Sequence, residues 1–567
     1  MFEAHVSPRP SQDDRLSVAA TVTAPSPAAD GTASRRRRRL ALVVMSLGVS
    51  LIVVDATIVG VLLPQIVEGL GATTDQAEWT TSIYSLVFAA LLIPCGRAGD
   101  LAGRRRTFVL GTAIFTAASL LAAAAGDAAL LIAARALQGL GASLIMPATL
   151  ATVNAIFTGR ERAVAFGIWG SLIGGMAALG PLLGGALAAS LGWRWAFAIN
   201  LPLGLALIAG ALTLVPETRQ PAERGVDAPG AALATLGLGA LVCGLIEGPY
   251  YGWWTALRPS SLDLPGWPRG LSPVPLLLAL AAALLVALAV VERTRSAAGR
   301  PVMLDPALLR IAGFRRGNAV AALISVGELG LLFVLPLFLA GVHGDDPLQI
   351  SLAVLPLALG AFLAGPFAGR LTERIGPHRV VRLGLAMEVG AVLGLGWTLD
   401  AAAGGRDLAP WMLLYGVGLG LASAQLTSVC LAEVPPGRAG QASGIQSTSR
   451  QVGAALGIAI VGAVFAAGLG RETAHRLAGT SLSPERQAAV VQELRDSAGT
   501  HARELERTPG MRAAAQAAEH GLAAAARQAV LATAAVLALG LAAGMRLRPG
   551  PSVPEESAPM TTQKIEV

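Results

Sequence analysis

Fourteen apolar runs, each close to the length of a membrane-spanning helix, constrain this 567-residue chain more than any other feature. A bilayer core is crossed by about 20 residues of α-helix. Charged residues make up only 14% of the chain, whereas a soluble domain carries about 25%. The sequence therefore predicts an all-α polytopic membrane protein with 14 transmembrane helices. The predicted helices lie near 41–66, 79–96, 107–126, 128–153, 163–189, 195–215, 229–249, 273–292, 318–340, 348–370, 380–399, 409–431, 443–468 and 525–546.

The arginines lie between alternate apolar runs and predict how the chain is oriented. Arg35 to Arg39 precede the first run, and later arginine groups follow every second run. Because positively charged loops stay in the cytoplasm, both termini are expected there. Eight of the nine tryptophans fall at the opposite helix ends, where aromatic belts form. The net charge of +7 thus indicates membrane topology and not a nucleic-acid partner. A bias towards Arg, Ala and Gly suggests a bacterial gene, and so a bacterial plasma membrane.

An internal repeat divides the chain into two halves. The pattern Gly-Arg-x-x-Asp-x-x-Gly at 96–103 recurs as Gly-Arg-x-x-Glu-x-x-Gly at 369–376. The repeat relates two bundles of six helices and leaves two further helices inserted between them. Duplicated halves around a central path are the architecture of secondary transporters.

The expected segments follow from this repeat and from composition. Residues 1–39 are predicted to be a disordered cytoplasmic tail with a basic anchor, and 549–567 a second disordered tail. The six-helix bundles are expected at 40–215 and 301–548, with the inserted helices at 216–300. The longest outer connection, 471–522, contains Ser483-Pro484-Glu485, which is typical of a helix start. We expect a solvated helical cap there, with a binding domain as the alternative.

Nothing in the sequence supports an enzyme of another class. The 3 cysteines lie singly inside apolar runs, and the 6 histidines are scattered without metal-ligand or catalytic spacing. We therefore expect no disulfide, no metal and no cofactor. There is also no phosphate-cradling Gly-Lys-Ser/Thr loop, which disfavours transport driven by ATP.

Several motifs follow one another in a fixed order along the chain. A glycine- and arginine-rich turn lies at 96–106, Arg135-x-x-Gln138-Gly-x-Gly within the fourth run, and Gly175-x4-Gly180-Pro181-x-x-Gly184-Gly185 within the fifth. The first run carries an Asp-Ala-Thr-Ile-Val segment at 55–59. This order resembles the major facilitator superfamily, and in particular its fourteen-span drug:proton antiporter branch, whose entry to helix six is matched by 193–204. The resemblance covers residues 39–548 and implies two pseudo-symmetric six-helix bundles plus two inserted helices.

The resemblance also implies roles for these motifs. The 96–106 turn would latch the halves and steer gating, Arg135 would take part in proton coupling, and the fifth-run pattern is found in exporters. The alternatives are an ordinary positive-inside turn, a structural arginine and glycine-rich packing without directional meaning. The branch usually has Asn where this chain has Gly60, which leaves the substrate contacts open. The residues concerned are Gly96, Asp100, Gly103, Arg104 and Arg105 for the turn, and Gly175, Gly180, Pro181, Gly184 and Gly185 for the fifth run.

Four carboxylic acids lie within apolar runs and are the candidates for carrying a proton: Asp55, Glu247, Glu328 and Glu388. A carboxyl group removed from water can hold its proton near neutral pH and release it when the site opens. Asp55 is the favoured coupling site because it lies mid-helix in a motif, and Glu328 opens the second half near the equivalent position. Glu388 is a proton site or a polar contact between helices, and Glu247 is better interpreted as an interfacial acid.

These observations predict a proton-coupled antiporter that exports small amphipathic or cationic compounds, such as drugs and antibiotics. Its partners would be the small-molecule substrate, protons and the lipid bilayer. A dedicated exporter of one endogenous metabolite or siderophore would share every motif. A membrane receptor or scaffold that does not transport is the alternative of another class.

Overall fold

The computed structural model describes residues 32–218, 225, 227–256, 270–508 and 510–547. Residues 1–31 of the predicted tail 1–39, and the predicted tail 549–567, lie outside the described residues, whereas residues 32–39 are helical and not disordered. Arg219 and Arg224, which belong to the arginine groups, and Trp267, one of the eight tryptophans at outer helix ends, also lie outside the described residues. Within the described part, the chain is α-helical and contains no strand, only one isolated bridge between Thr255 and Leu271.

The helices are numbered in chain order. The first nine are α1 Thr32–Leu70, α2 Thr74–Ala102, α3 Arg104–Ala123, α4 Ala128–Ile156, α5 Gly159–Ser190, α6 Arg194–Ala198, α7 Asn200–Leu214, α8 Ala228–Tyr251 and α9 Val274–Ala297. The others are α10 Pro306–Arg310, α11 Ala312–Phe338, α12 Pro347–Ile375, α13 Pro377–Thr398, α14 Gly405–Ala432, α15 Ala439–Leu477, α16 Pro484–Asp496, α17 Ala502–Arg507 and α18 Arg512–Met545. A π-helical turn, Leu339–His343, extends α11.

Among the described residues, 13 helical segments are long and apolar enough to cross a membrane, with α6 and α7 together forming one of them. They coincide with predicted runs. The remaining predicted run, 163–189, falls on α5, whose 32 residues span about 48 Å at 1.5 Å per residue. The expected all-α polytopic membrane fold is confirmed.

Several helices extend beyond the apolar runs that predicted them. The helix α15 continues to Leu477, and α18 begins at Arg512 instead of near residue 525. An apolar run marks only the part of a helix that crosses the bilayer core. The flank that begins α18 is rich in alanine, which has the highest helix propensity, whereas the flank that ends α15 is polar and contains one alanine.

The long connection after α15 begins a helix where its sequence predicts one. The Ser483 hydroxyl accepts a hydrogen bond from the Arg486 amide at 3.3 Å, and Pro484 is the first residue of α16. Leu477, Val490 and Leu505 form a small apolar core with α16, α17 and the start of α18. The connection therefore has a core of its own.

Two helix pairs form the seams between the halves, α2 with α15 and α5 with α12. Glycine permits close approach at both. A Cβ atom added to Gly96 would collide with the backbone of Gly440, and one added to Gly167 would collide with the backbone of Gly365. The inserted helix α8 packs on both α2 and α15.

Candidate functional site

The amino-terminal half contains a buried ion pair between two residues that the sequence singled out. A guanidinium nitrogen of Arg135 on α4 contacts the Asp55 carboxylate on α1. Both side chains are at most 1% exposed. An arginine within a membrane has to face the protein interior and find partners there. The structure places Arg135 in that position.

Three further side chains complete this cluster, and sequence reasoning did not assign them a role. Gln138 and Asn200 donate to the same Asp55 oxygen at 2.8 and 2.9 Å. Both also donate to the Ser119 hydroxyl, which donates in turn to the Phe115 carbonyl. Gln138 could have been found, because it lies three residues after Arg135 and so on the same helix face.

The Arg135 guanidinium also has hydrogen-bond partners other than Asp55. It donates to the Gln138 side chain at 2.9 Å and to the Thr80 carbonyl at 3.2 Å, and lies 4.4 Å from the centre of the Tyr84 ring. A cation over an aromatic ring is attracted by about 0.5–2 kcal/mol, depending on desolvation. The structural and the coupling interpretations of Arg135 therefore rest on one and the same set of contacts.

The carboxy-terminal half has a second acid–arginine pair, and this one is accessible. Glu328 on α11 lies 3.5 Å from Arg450 on α15, with side chains 14% and 20% exposed. Both line a narrow cleft of ≈ 20 Å³ between the halves, together with Trp169 and Ile173 of α5. Sequence reasoning missed Arg450. It is the one arginine in the 443–468 run, so the argument that selected Arg135 would also have selected it.

Glu388 lies behind this pair, in the core of the carboxy-terminal half. It is 0% exposed, and among the described residues neither of its carboxyl oxygens has a hydrogen-bond partner. It interacts electrostatically with Glu328 and Arg450. The buried Tyr415 hydroxyl, which belongs to the same group, also has no partner in the described part of the chain. Glu328 and Glu388, predicted separately, are therefore brought together.

Glu247 is not part of either cluster. It lies near the end of α8, is 4% exposed, and its side chain is hydrogen-bonded to that of Glu78 on α2. The Asp75 carboxylate lies close enough to interact electrostatically with Glu247. The interpretation of Glu247 as an interfacial acid stays a prediction.

The 96–106 turn joins the two halves through Asp100. Its carboxylate accepts hydrogen bonds from the backbone amides of Gly440 at 2.9 Å and Gln441 at 3.0 Å, which open α15. Helix amino termini favour negative charge. The same carboxylate pairs with Arg104 at 3.0 Å, and Arg104 reaches the Ala151 carbonyl at 3.4 Å. Asp100 thus connects α2, α3 and α15.

Glycine is required at the end of this turn. Gly103 has a φ of +107°, in the region that favours glycine, and a Cβ atom there would meet the Glu217 carboxylate. Glu217 accepts from the Arg105 amide at 3.2 Å and lies 3.9 Å from the Arg105 and Arg106 guanidinium groups. The turn is therefore bound to the residues that follow α7.

The glycines of α5 pack this helix against α1. A Cβ atom at Gly180 would collide with Thr57, and one at Gly184 with Ile58. Gly175 instead faces Phe362 of α12 in the other half. Pro181 lies inside the helix, whereas Gly185 and Gly60 face open space. The predicted antiporter helix and the Asp55 segment of α1 therefore form one close contact.

Comparison with known proteins decides the family. The profile described as "Major Facilitator Superfamily" matches residues 45–458. The chain belongs to the major facilitator superfamily. Among its superfamily relatives is the "Probable actinorhodin transporter" of Streptomyces coelicolor, 34% identical over 79% of this chain and 76% of that protein. The "Puromycin resistance protein pur8" of Streptomyces alboniger is 34% identical over 76% of this chain and 82% of the other. The "Multidrug efflux pump LfrA" of Mycolicibacterium smegmatis is 32% identical over 83% and 89%.

A solved structure supports the fold of this major facilitator protein independently. The crystal structure of the human organic anion transporter MFSD10 aligns over 89% of this chain and 99% of that one, with a TM-score of 0.57 and 16% identity. At this identity the likeness concerns the fold alone. Membership of the superfamily, together with the transporter names of its relatives, indicates a multi-pass membrane transporter of small molecules.

Proposed function

We propose that this protein is a proton-coupled antiporter that exports small amphipathic or cationic compounds, including antibiotics. The names of its relatives, which include a multidrug efflux pump and a puromycin resistance protein, support export of such compounds. The single observation that carries the coupling is the Glu328–Arg450 pair, an acid and its cation that are exposed to the cleft between the halves. We place the protein in a bacterial plasma membrane with both termini in the cytoplasm.

Competition for one carboxylate supplies the coupling. Glu328 can bind a proton, the Arg450 guanidinium or a cationic group of the substrate, but a protonated Glu328 no longer attracts either cation. At 3.5 Å the present pair is loose, so a cation that reaches Glu328 when the cleft is wider can displace Arg450. Substrate binding and protonation therefore exclude each other at this site, and that exclusion is what antiport requires.

Glu388 would act as the second acid of this site. An unpaired carboxylate charge away from water is very costly, so we infer that Glu388 carries its proton in this conformation. Glu328 and Glu388 interact electrostatically. Ionisation of one therefore opposes ionisation of the other, which favours one shared proton.

Protonation of Asp55 would change the contacts that hold the surrounding helices together. The groups that surround Asp55 from Arg135, Gln138 and Asn200 are all donors, an arrangement that suits an ionised carboxylate. Protonation would remove an acceptor and release α4 and α7 from α1. With the amino terminus inside, the Asp100 turn lies on the cytoplasmic side and holds α2 against α15 there.

The test uses inverted membrane vesicles with a pH-gradient dye, challenged with tetraphenylphosphonium and with puromycin. Wild-type protein should release protons from the vesicles when either compound is added, and Glu328→Gln and Asp55→Asn should not. Glu247→Gln is the matched control, an acid-to-amide change in a buried acid outside both clusters, and should keep the response. Normal coupling in both Glu328→Gln and Asp55→Asn would refute the assignment.

A dedicated exporter of one antibiotic is the second candidate, because a Streptomyces relative is named for actinorhodin alone. It predicts a response to one compound among a broad panel of amphipathic antibiotics. Responses to several unrelated cations would favour the multidrug interpretation.

A further inference from the structure

A cavity near the amino terminus of α1 lies outside both acid clusters and outside the cleft. Its volume is ≈ 730 Å³, and it is enclosed by α1, the start of α5 and the end of α12. It therefore touches both halves beside the α5–α12 seam. None of the roles proposed above uses it.

The rim of this cavity is basic. Arg35, Arg38 and Arg39 line it, and their spacing of three and four residues places them on one face of α1. Glu161 and Glu373 also line it. Arg38 lies 3.5 Å from Glu161, but in the described part of the chain neither Arg35 nor Arg39 belongs to an ion pair. The rim therefore keeps positive charge for an anionic ligand.

The wall below the rim is apolar and open towards lipid. Leu42 and Val43 follow one turn below the arginines, and Val164 and Ile168 of α5 face them across the cavity. Val43 is 45% exposed and Val164 is 37% exposed. An apolar surface of this kind is unfavourable in water. A cationic rim above an apolar wall matches an anionic headgroup attached to an acyl chain.

We propose that this cavity binds one anionic phospholipid from the leaflet in which the amino terminus lies. The headgroup phosphate lies between Arg35, Arg38 and Arg39, and an acyl chain follows Val43, Val164 and Ile168. Arginine near an anionic membrane surface already attracts such lipids, and the cavity adds a shaped apolar wall. Because Glu373 of α12 also lines the cavity, the bound lipid lies beside the α5–α12 seam.

The test compares two pairs of substitutions with the same loss of charge in the same segment. Arg38→Gln/Arg39→Gln removes two rim arginines, whereas Arg36→Gln/Arg37→Gln removes two that do not line the cavity. Full-length protein is titrated with phosphatidylglycerol in detergent and bound lipid is counted by native mass spectrometry. The rim pair should weaken binding of one phosphatidylglycerol molecule about tenfold or more, since each arginine contributes on the order of 1 kcal/mol. The control pair should bind it as the wild type does.

A second variant tests the apolar wall. Val43→Trp fills the cavity at a position that is already half exposed, so the fold should persist while the bound lipid is lost. Glycerophosphoglycerol, the headgroup without acyl chains, should not compete. Equal weakening by the two arginine pairs would reduce the site to diffuse surface attraction and overturn the proposal. Competition by the free headgroup would indicate a soluble anionic ligand and would also overturn the proposal. A wild-type protein that retains no lipid would overturn it as well, and the occupant of the cavity would then be residues 1–31 or a transported compound.

Discussion

The Asp100 carboxylate accepts a hydrogen bond from the amide of Gly440, a residue 340 positions later in the chain, and so joins the two halves of the protein at one end. A second amide, that of Gln441, binds the other carboxylate oxygen. The contact combines a charge, a helix amino terminus and the Arg104 pair. It is thus suited to hold a seam closed and to release it as a unit.

Asp100→Asn should loosen this seam. The substitution removes the charge that both the Arg104 pair and the α15 amino terminus favour, and hydrogen bonds to charged groups contribute about 1.5–3 kcal/mol. Hydrogen exchange of the Gly440 and Gln441 amides, measured by mass spectrometry, should accelerate about tenfold or more. Glu217→Gln, an acid-to-amide change in the same turn region without contact to α15, is the control. Unchanged exchange in Asp100→Asn would show that the charge does not hold the seam.

Gly180→Ala should destabilise the protein, whereas Gly185→Ala should not. Both changes gain the same helix propensity, about 0.5–1 kcal/mol, but only the methyl group at Gly180 collides with Thr57. Overpacking typically costs about 1–3 kcal/mol. Thermal unfolding in detergent measures the difference, and equal melting temperatures for the two variants would contradict the close α1–α5 contact.

Arg135→Gln should cost far more stability than the double variant Asp55→Asn/Arg135→Gln. Breaking one partner of a buried pair costs about 3–5 kcal/mol, because the other charge stays buried. Removing both charges leaves neutral amides that can bind each other. Denaturant unfolding of the wild type, both single variants and the double variant gives the coupling energy. Strictly additive effects would mean that the two residues do not depend on each other.

Tyr415→Phe should be neutral or slightly stabilising, whereas Tyr84→Phe should destabilise. The Tyr84 hydroxyl donates to the Ile52 carbonyl at 3.2 Å, and losing such a bond costs about 0.5–1.5 kcal/mol. The buried Tyr415 hydroxyl has no partner within the described residues, so its removal deletes a desolvated polar group. Melting temperatures of the two variants test this. A larger loss for Tyr415→Phe would show that its hydroxyl has a partner, such as Glu388 or a bound water.

The sequence predicted the helices well, because lipid imposes a length and a composition on each of them. The Asp55–Arg135 pair could also be anticipated, since two charges in lipid have to find each other. Asn200 could not be assigned to Asp55, because α7 could present it to several neighbours and only the packing of α3, α4 and α7 selects one. The difference between the sealed Asp55 pair and the accessible Glu328 pair is likewise a property of the packing. A charged residue within an apolar run can be identified from the sequence as a candidate site residue. Its solvent exposure depends on how the helices of the bundle pack around it.

The inserted helix α8 has a mechanical consequence that follows from its place on both α2 and α15. Leu238 packs against Ile93 of the first half, and Leu245 against Ala455 of the second. If the two halves rotate relative to each other, α8 has to slide against α2 or against α15. A Cβ atom added to Gly239 would lie 3.6 Å from the side chain of Ala90, and such small residues offer few ridges that would resist sliding. The helix α8, which belongs to the segment that links the halves along the chain, would therefore allow the two halves to slide relative to each other. It would also limit how far and in which direction they can rotate.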